Sequence, residues 1–292
     1  MAESWLQATV DSPQTAVAAV EATFEELGAL VTWTQGADDE EILEPEPGAT
    51  PLWAAVRVTA LLPADTPRER VMTAFPGARL HFEIVADRDW DAEWRRSLKP
   101  LRFGQRLWIC PAGQACPDPA GISVLLEPGL AFGTGTHPTT AMCLTWLDGQ
   151  PLTDLRVLDY GCGSGILAVA ALALGARTAV AVDIDRQALI ATGDNAARNG
   201  CATRLRVGVP AELLPASCRT SFDVLVANIL SGPLVRLAPE LRRFAGAATR
   251  VALSGILADQ APEVIAAFLP WAPLTIANEQ GGWVLLAGAV AH

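Results

Sequence analysis

With 292 residues, 51% of them apolar, the chain can bury one large core or two modest ones, and intrinsic disorder is excluded. The net charge is −11, and Lys99 is the single lysine among 21 basic residues. Such a balance repels phosphates, so direct nucleic-acid binding is not expected.

In chain order, Trp5 to Val10 reads as a strand, and Thr15 to Leu27 as a helix that stops at Gly28. Leu30 to Thr34 is a second strand. The acidic stretch Asp38 to Gly48, with Pro and Gly, reads as a solvated connection. Leu52 to Leu62 is a strand, Pro67 to Phe75 a short helix and Leu80 to Val85 a strand. The order β-α-β-β-α-β is that of a small α+β ferredoxin-like domain, expected over residues 1–86. The charged segment from Asp87 to Ser97 places Trp90 and Trp94 on one helical face. It predicts a linker helix over residues 87–100, ended by Pro100. Strands follow at Gln105 to Cys110 and Ser123 to Leu126.

From residue 137 the pattern is α/β, within a domain expected over residues 101–292. The expected strands are Arg156–Asp159, Ala179–Asp183, Leu205–Val209, Phe222–Ala227, Arg250–Ser254, Leu274–Asn278 and Trp283–Ala287. Helices are expected at Pro138–Leu147, Gly165–Leu174, Arg186–Asn199, Leu234–Phe244 and Gln260–Phe268. Only Glu279-Gln-Gly-Gly282 separates the last two strands, a turn too short for a crossover. The seven-stranded sheet should therefore be mostly parallel, Rossmann-like, with one reversed strand near its end.

The six cysteines form no Cys-x-x-Cys pair and meet only three histidines, so no metal site is expected. Buried reduced thiols suit a cytoplasmic location. The N-terminus lacks a basic region followed by an apolar run, and the stretch Gly165–Gly175 is too short to span a bilayer. No membrane partner is expected.

The strand ending at Asp159 runs into Gly161, Gly163 and Gly165, which open a helix. Glycines there let the backbone turn sharply and approach a ligand beyond the strand's C-terminal end. A dinucleotide loop needs Gly-x-Gly-x-x-Gly, but Ile166 stands where its third glycine would be. Asp-x-Gly-x-Gly-x-Gly instead resembles class I S-adenosylmethionine methyltransferases. Their cofactor has no phosphate but carries an amino group and a sulfonium, so Asp159 makes electrostatic sense. Asp183, at the end of the next strand, can accept hydrogen bonds from ribose hydroxyls, while Asp185 suits a helix cap. Asn228 ends another buried strand at the same rim. In methyltransferases acting on nitrogen this place often reads Asn-Pro-Pro-aromatic. Here it is Asn-Ile-Leu, a partial match, and a turn or cap role for the asparagine stays open.

The stretch Leu126–Thr140, LEPGLAFGTGTHPTT, together with Asp159 to Ile166 and Ala227 to Leu230, strongly resembles the ribosomal protein L-eleven methyltransferase family. The resemblance covers essentially the whole chain, including the order of domains. It implies a cofactor, S-adenosylmethionine, held at Thr140, Gly161, Asp183 and Asn228. It implies methylation of lysine ε-amino groups and the N-terminal α-amino group of that large-subunit ribosomal protein, bound by the N-terminal domain. The acidic loop at residues 38–46 matches no motif of the family. His137 invites a general-base role, but fixing loop geometry is the expected one. Asn228 is expected to orient the amine for direct displacement at the sulfonium methyl. Three rivals remain: a small-molecule or other-protein methyltransferase of the same fold, a nicotinamide-dependent oxidoreductase, disfavoured by Ile166, and a noncatalytic ribosome-assembly factor.

Overall fold

Strand β1 (Ser4–Pro13) alternates along its length: Leu6, Ala8 and Val10 are buried, whereas Trp5, Gln7 and Thr9 point the other way. The computed structural model describes residues 4–37, 55–86, 99–126, 137–214 and 221–290. Its internal contacts divide the chain into two compact units, Met1–Glu93 and Trp94–His292.

In the first unit β1 is followed by α1 (Val17–Glu26), β2 (Val31–Gly36), β3 (Ala55–Pro63), α2 (Arg68–Ala74) and β4 (Leu80–Ala86). The sheet order is β2-β3-β1-β4, and every pair is antiparallel. Phe24 of α1 and Val71 of α2 share one apolar cluster with Leu6, Val58 and Leu62. Both helices therefore cover the same face of the sheet, as in a ferredoxin-like domain. Phe24 and Phe75 bring their ring centroids to 4.7 Å. The fully buried Phe24 contributes about 1.5–3 kcal/mol. The acidic stretch at 38–48 and residues 87–98 of the linker helix expected over 87–100 lie outside the described residues.

The second unit begins with a three-stranded sheet of β5 (Leu101–Phe103), β6 (Leu107–Pro111) and β7 (Ile122–Leu126). Strand β5 was not expected, and β6 starts two residues later than its apolar pattern suggested. The reason is a turn at 104–106. Gly104 has φ +65°, and the buried carboxylate of Asp148 accepts hydrogen bonds from Gln105 N at 2.6 Å and Arg106 N at 3.3 Å. Backbone donors that serve a side chain cannot also serve a ladder.

The main sheet comprises β8 (Arg156–Tyr160), β9 (Thr178–Val182), β10 (Leu205–Gly208), β11 (Phe222–Asn228), β12 (Ala245–Leu257), β13 (Leu274–Gln280) and β14 (Trp283–Ala289). Its order is β10-β9-β8-β11-β12-β14-β13. Strands β8 to β12 pair in parallel, and β14 runs antiparallel to both its neighbours. This is the doubly wound α/β arrangement with a single reversed strand next to one edge. Helices α3 (Pro138–Asp148), α4 (Ile166–Ala173) and α5 (Arg186–Arg198) precede the short α6 (Pro210–Leu213), and α7 (Ser231–Arg242) and α8 (Ala261–Phe268) follow. Leu144 of α3 and Val169 of α4 pack with Val157 and Val224. Leu234 of α7 and Phe268 of α8 pack with Leu158 and Leu225 on the opposite face. Successive residues of β8 thus serve opposite cores, which decides where Asp159 and Tyr160 point.

Among the boundaries that differ from the sequence reading, three lie in the second unit at a proline or a glycine. Helix α7 starts at Ser231 rather than Leu234, because Pro233 is tolerated in a first turn, where its missing N–H is no loss. Strand β13 continues to Gln280, leaving Gly281 and Gly282, with φ +59° and +79°, as a two-residue hairpin turn. Strand β12 is 13 residues long, with an irregularity between Leu253 and Ile256 where Gly255 adopts φ +81°. Among the described residues no helix is long and apolar enough to cross a membrane.

Candidate active site

The loop after β8 is built from glycine backbone that other residues could adopt only with strain. Gly161, Gly163 and Gly165 have φ +79°, +53° and +75°. Gly161 N and Cys162 N both donate to Val182 O, at 2.8 and 3.0 Å, which ties the loop to the end of β9. Gly165 N donates to Cys162 O at 2.7 Å and closes the turn into α4.

Asp183 stands at the end of β9. One carboxylate oxygen accepts from Gly163 N at 2.9 Å and the other from Asp185 N at 3.0 Å. Asp185 in turn accepts from Gln187 N at 2.9 Å and caps α5. Asp183 therefore addresses the glycine loop, and Asp185 starts the next helix.

Asp159 faces the α4 side of the sheet and is wholly buried. Its Oδ2 accepts from Ala168 N at 3.0 Å, and its Oδ1 has no partner among the described residues. Burial pushes its pKa up to about 7, the Ala168 N–H works in the other direction, and the charge of Asp183 raises it further. The same burial pushes the neighbouring Cys143 and Cys162 thiols up. Tyr160, one residue on, faces the other core and donates to Glu240 at 3.4 Å, with its pKa raised to about 12 by burial and by that carboxylate.

Asn228 ends β11, which lies between β8 and β12 with Val226 opposite Asp159 and Asn228 opposite Ser254. Its amide nitrogen donates to Thr140 Oγ1 at 3.1 Å. Thr140 is buried in the first turn of α3. His137 caps that helix, its Nδ1 2.7 Å from Thr139 Oγ1 and 3.4 Å from Thr139 N, and its ring lies edge-on to Trp283 at 5.2 Å. Of the residues singled out from sequence, Gly161, Gly163, Gly165, Asp183 and Asp159 thus gather in and under one loop. Thr140 and Asn228 pair with each other. Residues 127–136 of the glycine-threonine stretch lie outside the described residues.

Several contributors were not singled out. Thr192 Oγ1 donates to Gly163 O at 2.9 Å, and Asn195 Nδ2 donates to Ser164 O at 2.9 Å. Asn199 holds Leu125 of β7 through both its amide atoms, at 2.8 and 2.7 Å. These three lie at i, i+3 and i+7, one face of α5 running past its end, and Thr192 and Asn195 are buried. The signal was available: polar residues on a helix face that should be apolar. Thr192 and Asn195 answer the loop carbonyls that a left-handed turn leaves without strand partners, and Asn199 answers the backbone of β7. Ile184 is the other omission. It is 88% exposed at the rim of the sheet and lines a cleft of about 630 Å³ with Val209, Pro210 and Leu214.

The family described as ribosomal protein L11 methyltransferase (PrmA) matches residues 4–290. A ribosomal protein L11 methyltransferase of Pseudomonas fluorescens is 48% identical over 290 residues, covering 97% of this chain and 98% of its own. One from Hahella chejuensis is 47% identical, with both chains 98% covered. Among solved structures, a ribosomal protein L11 methylase from Lactobacillus delbrueckii subsp. bulgaricus is 31% identical, with a TM-score of 0.60 over 67% of this chain and all of its own. A mostly parallel sheet with a left-handed glycine loop, an acid on the adjacent strand and kinship across nearly the full length leave one assignment: the chain belongs to the ribosomal protein L11 methyltransferase family, within the class I S-adenosylmethionine-dependent methyltransferases.

Proposed function

We propose that this chain moves methyl groups from S-adenosylmethionine to the lysine ε-amino groups and the N-terminal α-amino group of ribosomal protein L11. The observation that carries the reading is Asn228: its amide nitrogen is committed to Thr140, so Oδ1 remains as an acceptor at the rim that also holds the glycine loop. An acceptor fixed in this way can take an N–H of an amine and aim the lone pair.

The residues present fit the cofactor. The buried Asp159 carboxyl, with one oxygen unpartnered, favours a cation above it. Asp183 uses only two of its roughly four acceptor positions, leaving room for ribose hydroxyls. The turn from Gly161 to Gly165 brings backbone to the rim, Ile184 offers an apolar shelf for a base, and Thr140 and Asn228 close the acceptor side. When bound, the cofactor supplies a methyl group on a sulfonium, an electrophile that needs no acid to help its leaving group. The chain's part is to hold, align and desolvate. A lysine amine, with a pKa of about 10.4 in water, must lose its proton before attack, and desolvation at the rim favours the neutral form.

The first unit is proposed to recognise the protein substrate, with residues 1–86 as the recognition domain, 87–100 as linker and 101–292 as the catalytic domain. The proposed partner is a protein, no nucleic-acid partner enters this reading, and the proposed location is the cytoplasm. Radiolabel transfer from S-adenosylmethionine to purified L11 tests cofactor, substrate and activity together. Label on L11 lysines and its N-terminus is expected. Label on small molecules alone, or none with a folded chain, would overturn the reading.

A further inference from the structure

Ile229 directly follows Asn228, and two glycines close on it, Gly161 from the loop after β8 and Gly255 from β12. A β-carbon built on Gly161 would lie 2.3 Å from Ile229 Cγ2, so that methyl fills the space the glycine leaves. A β-carbon built on Gly255 would lie 2.5 Å from the Ile229 carbonyl oxygen and 3.1 Å from its nitrogen. Both glycines have positive φ, +79° and +81°. Gly255 sits in the irregular stretch of β12, one residue past Ser254, the register partner of Asn228. The irregularity has a use here: it lets β12 pass the backbone of Ile229 without a side chain intervening.

The side chain is equally constrained. Isoleucine is branched at Cβ, so Cγ2 stands on a stiff arm fixed by the backbone one residue past the end of β11. Ile229 is half-buried and packs against the cluster that includes Leu158 and Leu225. A displacement of the Gly161 turn would thus press on Ile229, and one of Ile229 would move Asn228.

We propose that Ile229 is a positioning residue that registers the methyl-donor loop against the amine acceptor. Through Cγ2 it seats the Gly161 turn, and through its backbone, held under Gly255, it fixes Asn228. This inference rests on the proposed N-methyl transfer at the same rim. A residue that merely fills core would be replaceable by any apolar side chain of equal volume; a register would require the branch.

Two substitutions in the full chain separate these cases. Ile229→Val keeps Cγ2 and shortens the side chain; Ile229→Leu keeps the volume and removes the branch. Melting temperature, affinity for S-adenosylhomocysteine by calorimetry, and single-turnover methylation of L11 at saturating donor are measured for each. The leucine variant is expected to bind S-adenosylhomocysteine more weakly and to slow single turnover by roughly tenfold or more, since small misplacements of reacting groups cost rates of that order. The valine variant is expected to restore both towards the unaltered chain. A folded leucine variant with undiminished affinity and rate would overturn the proposal, as would a valine variant impaired as badly as the leucine one. Should the leucine variant not fold, Ile229→Ala takes its place and must show both losses. Absence of transfer by the unaltered chain would defeat the functional reading itself, and is seen before any substitution is compared.

Discussion

Asn228 at the end of β11 donates its amide hydrogen to the Thr140 hydroxyl in the first turn of α3, at 3.1 Å. The bond joins two elements distant in sequence and fixes which end of the amide faces outward. Replacing Asn228 by alanine removes the acceptor and leaves β11 paired on both sides through its backbone. The fold should survive, while kcat/KM for L11 methylation falls by about 100-fold, the scale of a lost orienting contact. Circular dichroism with steady-state kinetics checks this, and near-normal turnover would remove Asn228 from the mechanism.

The buried Asp159 makes the protein's stability depend on pH in the direction opposite to most carboxylates. Its folded pKa, about 7, lies above the ordinary 3.8, so the folded chain holds this proton more tightly than the unfolded one. The group's favourable contribution is fully present below 3.8 and is lost as pH rises through 7. The charges and thiols facing it are Asp183, Cys143 and Cys162. Asp159→Asn should therefore raise the melting temperature of the ligand-free chain at pH 8 more than at pH 6. It should also weaken S-adenosylmethionine binding at pH 8, where the wild-type carboxylate is ionised. Melting curves and calorimetry at both pH values provide the readout; equal melting shifts at the two would show that Asp159 does not titrate between them.

Thr192 predicts a linked loss of stability and affinity. Its hydroxyl is the donor to Gly163 O, and its methyl lies where a β-carbon on Gly165 would be only 2.6 Å away. Thr192→Val preserves the shape and strands the carbonyl. Urea unfolding should report a loss of about 1–3 kcal/mol, the cost of an unsatisfied buried polar group. S-adenosylhomocysteine affinity should fall alongside it, because the loop that loses its support is the one proposed to carry the ligand. Undiminished affinity at reduced stability would mean that α5 supports the fold alone.

The element order was legible because periodicity is strong where it matters. The apolar run before Asp159 and the glycines after it allow a single local geometry, and the short turn before Trp283 forces an antiparallel pair. What escaped was set by partners distant in sequence. Strand β5 is three residues long and ends at a turn held by Asp148, 43 residues away from Gln105. Gly255 reads as an ordinary strand glycine until Ile229 is placed beside it. The polar face of α5 was visible in the sequence, but its meaning depended on knowing that the loop carbonyls lacked partners. Ile184, written between two acids, was overshadowed by them, although it is a large apolar side chain left exposed at a strand's end.

His137 separates a structural role from a chemical one. Its Nδ1 lies against Thr139 Oγ1 and the Thr139 N–H, at the start of the helix that presents Thr140. Asparagine can supply a cap acceptor but cannot serve as a base near neutral pH. His137→Asn should therefore retain most of the single-turnover rate with an unchanged pH profile. His137→Ala should lose about 0.5–2 kcal/mol of stability, the cost of an uncapped helix start. Its rate should fall only as far as Thr140 is disordered. A general base would give the reverse pattern: both variants equally inactive, and the acid limb of the rate profile abolished.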